Sequence, residues 1–86
     1  MVYLALDRTS ALEAIALAAS GGHAVWVGSD AISKEEHRRF SAEGVTLTRF
    51  SYALAGASRS VLEEALATME EHHPGQTIWV QHVAKP

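Results

Sequence analysis

Val2-Tyr3-Leu4-Ala5-Leu6 and Ala24-Val25-Trp26-Val27 are apolar at every position. A strand with one wet face alternates apolar and polar residues, whereas a strand covered on both faces reads as an unbroken apolar run. Two further runs of strand type do alternate. In residues 45–50, Val45 and Leu47 oppose Thr46 and Thr48; in residues 77–83, Ile78 and Val80 oppose Thr77, Trp79 and Gln81. The first two runs therefore belong in the centre of a sheet and the last two at its edges.

Helical segments separate these runs. Ser10-Ala11-Leu12-Glu13, Ser33-Lys34-Glu35-Glu36 and Ser60-Val61-Leu62-Glu63 each match the capping box, in which a serine and a glutamate satisfy one another's backbone N–H groups. Stop signals follow at Gly21-Gly22, Gly44 and Pro74-Gly75. The spacing predicts helices over about residues 11–20, 34–43 and 61–72. The first is apolar nearly all round, and the third carries one stripe of Val61, Leu62, Ala65, Leu66 and Met69. The second has little beyond Phe40 and Ala42 to bury, which makes it the least stable element.

The order β-α-β-α-β-α-β implies an α/β domain with parallel strand pairs, spanning residues 1–86 as one unit. Short right-handed crossovers then give a mainly parallel four-stranded sheet of order 3-2-1-4. The first two helices cover one face and the third covers the other. The alternative is a ferredoxin-like two-layer sandwich with the middle helix inserted, which would leave one sheet face open. The threonines of the third strand count against it. In the parallel fold Leu4, Leu6, Leu12, Ile15, Val25, Val27, Leu47, Leu62, Leu66, Ile78 and Val80 are the expected core.

Charge excludes several functions. Seven basic residues face ten acidic ones, for a net charge of −3, and the bases are scattered. A nucleic-acid binder normally carries a basic excess or stripe, so nucleic acid is not an expected partner. Nothing in the chain approaches the ~18 apolar residues of a membrane span. The opening residues lack a basic segment before their short apolar run. With no cysteine there is neither a disulfide framework nor a thiolate metal site. The expected location is cytoplasmic.

Catalytic signatures are missing too. Five histidines are many for 86 residues, but none has chelating spacing, so no metal site is expected. No glycine-rich phosphate loop and no G-x-S-x-G elbow occurs. No cofactor and no catalytic residue is expected on these grounds.

Two surfaces remain. The first is the carboxyl rim of the sheet, where open α/β sheets bind ligands. Asp7, Arg8 and Ser10 follow the first strand and Asp30 the second. The pliable segment of residues 51–59, with Ser51, Tyr52, Ser58 and Arg59, follows the third. Two arginines and two helix N-termini would suit a small anion there, at roughly millimolar affinity, with Asp7 opposing it. The second surface is aromatic. Tyr3, Trp26 and Trp79 are assigned to one sheet face, either as core beneath a helix or as an interface. The leading functional expectation is a non-enzymatic protein-interaction or self-association module, including a homodimer. The alternative is a small-anion or small-ligand-binding domain, a minimal enzyme among the options, using the carboxyl rim.

Overall fold

The computed structural model describes residues 1–81. The chain runs β1 (Val2–Ala5), α1 (Arg8–Gly21), β2 (Ala24–Val27), α2 (Lys34–Ala42), β3 (Thr46–Arg49), α3 (Arg59–His72) and β4 (Ile78–Gln81). All three strand pairings are parallel and the order is β3-β2-β1-β4. This is the α/β architecture read from the sequence, and the parallel pairing excludes the ferredoxin-like alternative. His82 and Val83, the last two residues of the expected fourth strand, lie outside the described residues.

The helices start earlier than two of the three serine signals imply. Asp7, not Ser10, caps α1: its Oδ1 accepts from the Ser10 N–H at 2.8 Å. Ser58, not Ser60, caps α3 and accepts from the Val61 N–H. Only Ser33 closes a full capping box, with Glu36. At the far end of α1, Gly22 takes the left-handed conformation (φ 69°), open to glycine without a Cβ penalty.

The core lies in two layers. Ala11, Ala14, Ile15 and Ala18 of α1 pack with Ala5, Val25, Val27, Val45 and Leu47 on one face, joined there by Ala31 and Ile32. Ala65 and Met69 of α3 pack with Val2, Leu4, Trp26, Phe50 and Leu54 on the other. The buried stripe of α1 is mostly alanine, which lets the helix lie close to the sheet.

Several expected core residues sit elsewhere. Leu12 flanks the alanine stripe and is 39% exposed. Leu6, Leu62, Leu66 and Ile78 are half-buried, and Val80 is exposed. The reason is coverage. Four strands span some 15–20 Å, and a helix with its side chains is only about 10–12 Å across. On the α3 face a single helix cannot reach both edges, so Thr46 and Thr48 of β3 and Val80 of β4 stay in solvent. On the other face α1 lies over β1 and β2 and α2 over β3. There α1 reaches β4 through Glu13, whose carboxylate accepts from Gln81 Nε2 at 2.7 Å.

Candidate functional site

The carboxyl rim is closed by its own residues. Arg8 donates from both terminal nitrogens to the two oxygens of Glu36, each at 2.9 Å, and also to the Ala31 carbonyl. This bidentate pair ties the start of α1 to the start of α2. The hydrogen bond from Arg8, followed by that from the Ser33 N–H, holds the Glu36 carboxyl down at about 2. A lowered carboxylate pKa adds stability at neutral pH that is present above the ordinary value of 4.5 and lost as pH falls toward 2. Acid titration of the native chain should therefore show a stability slope between pH 4.5 and about 2. Glu36→Gln should flatten that slope and, by removing the charge paired with Arg8, lower stability by a constant amount across pH 7–9, as followed by urea melts across the series.

On the other side of the rim, the loops after β2 and β3 interlock. Arg49 donates from Nε to the Ile32 carbonyl at 2.9 Å and from Nη2 to the Ser29 carbonyl at 2.8 Å. The Ser29 N–H donates to the Tyr52 carbonyl at 2.9 Å. The Leu54 N–H donates to Asp30 Oδ1 at 3.2 Å. Gly28 makes this approach feasible, since a Cβ there would meet the Leu54 backbone nitrogen at 2.8 Å.

The residues named for this rim from the sequence fall into two separate groups. Asp7, Arg8 and buried Ser10 form the first turn of α1, on one face of the sheet. Ser58 and Arg59 begin α3 on the opposite face, where Arg59 pairs with Glu63 at 3.1 Å in solvent. Exposed Ser51 leads into Tyr52, whose ring stacks at 5.1 Å on Phe50. Burial, and then the charge of Glu64, raises the Tyr52 phenol pKa. The Arg8 side chain bonds to Ala31 and Glu36, and that of Arg59 to Glu63, so neither arginine joins the two groups. The residues that do knit the rim are Glu36, Arg49, Asp30 and Gly28. Of these, Asp30 was expected at the rim from its place after the second strand and Glu36 had the capping box at Ser33, whereas Arg49 and Gly28 carried no local signal.

The aromatic surface also divides. Tyr3 pairs in register with Trp79, and both lie on the α1 face. Trp26 pairs with Leu4 and lies on the α3 face, so the three do not share one side as the alternation within each run suggested. Register between strands, not parity within one, sets the face. Trp26 is 5% exposed, in the core between β2 and α3. Tyr3 is half-buried, with its ring edge-on to His23 at 5.6 Å. Trp79 is 53% exposed.

These placements single out β4. It is an edge strand, bonded to β1 alone among the described residues. Trp79 emerges on one face of it and Val80, 48% exposed, on the other. Met1, Tyr3, Trp79, Val80 and Gln81 line an open concavity of about 350 Å³ beside it. Residues 77–81 carry no charge and no proline, the usual devices by which edge strands avoid pairing. The opposite edge, β3, instead presents threonines and Arg49. No helix among the described residues is long and apolar enough to cross a membrane, and no cluster of three metal-ligating side chains occurs among them. No family model, curated protein or solved structure matches the chain.

Proposed function

We propose that this chain is a non-enzymatic protein-interaction module that works through β4. One observation carries the reading: an uncharged edge strand with Trp79 half-exposed on one face and Val80 half-exposed on the other. Such an edge offers a row of free N–H and C=O groups flanked by apolar side chains, and an added extended segment satisfies both. The rim has less support as a ligand site, because Arg8 is engaged by Glu36 and the N-termini of all three helices are already capped by Asp7, Ser33 and Ser58.

The test is a titration of isotope-labelled protein with a soluble peptide carrying Thr-Ile-Trp-Val-Gln between flanking lysines. Amide shifts centred on residues 78–81 are expected, with smaller ones in β1. Shifts confined to residues 8–11 and 58–61 would move the binding surface to the rim. No shift at millimolar peptide would leave β4 as a plain edge.

A further inference from the structure

We propose that the occupant of the β4 edge is a second copy of this chain, paired antiparallel through β4 about a two-fold axis perpendicular to the sheet. This rests on the reading of β4 as the interaction surface and adds the identity of the partner. The backbone dictates the register. Leu6 N–H donates to the Gln81 carbonyl at 3.0 Å and Val2 N–H to the Thr77 carbonyl at 3.4 Å. Odd-numbered residues of β4 thus turn their peptide groups toward β1. By the alternation of a strand, Ile78 and Val80 turn theirs outward. In an antiparallel pair the residues that exchange both bonds lie opposite one another. Placing Ile78 of one copy opposite Val80 of the other, and the reverse, satisfies all four outward groups of each strand at once.

The same register places Trp79 directly opposite its own symmetry mate, as a pair without hydrogen bonds. That is the closer of the two antiparallel spacings, with Cα atoms about 4.5 Å apart. The two indoles then lie side by side on one face, covering the Trp79 rings that α1 leaves exposed. On the other face Val80 of each copy meets Ile78 of its mate. Aromatic and β-branched cross-strand pairs are the favourable ones.

Charge confines self-association to this edge. The chain carries −3, and copies repel wherever their acidic helix faces meet. Residues 77–81 form an uncharged strand, and an uncharged strand is its best complement. The other edge, β3, ends in Arg49 and exposes Thr46 and Thr48, so it offers no equivalent apolar partner for β4. Pairing β4 with β4 is also closed, since it consumes both apolar edges and leaves β3 at each end of the extended sheet.

The chain's lack of cysteine makes the register testable with single substitutions. Sedimentation equilibrium of the native chain up to millimolar concentration should show a monomer–dimer equilibrium. Trp79→Lys sets like charges directly opposite each other and should raise the dissociation constant at least about tenfold. Trp79→Cys brings two thiols within the Cα range of about 4.4–6.8 Å that a disulfide needs. Mild oxidation should convert it to a covalent dimer, while Thr46→Cys on β3 stays monomeric. Trp79 is half-exposed, so circular dichroism should show both of its variants folded. A native chain that stays monomeric at millimolar concentration overturns the proposal, as does a dimer that persists in Trp79→Lys and fails to cross-link through Trp79→Cys. A monomer whose β4 amides still respond to the strand peptide removes self-pairing but leaves the interaction edge standing. A monomer that ignores the peptide removes both.

Discussion

Replacing Trp26 by alanine is expected to cost about 3–5 kcal/mol, the range for a large buried aromatic. That is a large share of the roughly 5–15 kcal/mol that holds a small domain together. Trp26 joins elements distant in sequence. Its ring lies 5.2 Å from Phe50 at the end of β3, and 5.4 Å and 5.9 Å from His72 and His73 at the end of α3. Its Nε1–H donates to His73 Nε2 at 3.2 Å, so the buried indole leaves no polar group unsatisfied. Truncation opens a cavity between the sheet and α3 and strands the His73 acceptor at once. Trp26→Phe keeps the contact with Phe50 and gives up the hydrogen bond, and should cost clearly less, near 1 kcal/mol. It also isolates the second tryptophan, because the chain holds only Trp26 and Trp79. Emission from the variant should be that of a half-exposed indole. A loss below about 1 kcal/mol for the alanine variant in urea melts would mean that α3 does not dock through this ring.

The sheet was legible because strand burial writes itself into local pattern. Val2 to Leu6 and Ala24 to Val27 are apolar throughout, since each has neighbours on both sides and layers on both faces. The alternation at Thr46 and Thr48 reports the part of β3 that α3 does not cover. The capping box at Ser33 was legible for the same local reason.

What was not legible depends on relations between segments. Asp7 and Ser10 are both good capping residues three positions apart, and the turn out of β1 decides that Asp7 wins. Ser58 takes the place of Ser60 in the same way. The face of Trp26 follows from its register with Leu4, which no pattern within residues 24–27 contains. Arg8 and Glu36 are 28 positions apart, so the pair that occupies the rim left no local mark. For the candidate interaction surface, Tyr3 and Trp79 were visible as surplus aromatics. That Trp79 and Val80 of β4 stay exposed on opposite faces follows from counting helices per face once their positions are known.

The second large effect is expected at Leu54, in a segment where sequence periodicity was silent. Leu54 is 1% exposed, although it sits in the longest connection of the chain. It plugs the gap between the ends of β2 and β3, held by its N–H to Asp30 and seated against Gly28. Its side chain belongs to the same cluster as Leu4, Trp26, Phe50 and Met69. Leu54→Ala should therefore cost about 2–5 kcal/mol, as for a leucine in a packed core. Leu66, in the α3 stripe and among the expected core residues, is half-buried. Hydrophobic stabilisation scales with the apolar area withdrawn from water, so Leu66→Ala should cost roughly half as much. Urea melts of the two variants side by side decide the order. A larger loss at Leu66 would place the weight of the core under α3 and leave the loop as a loose cover. A larger loss at Leu54 means that the connection after β3 is part of the core, and that the closed rim is a condition of stability.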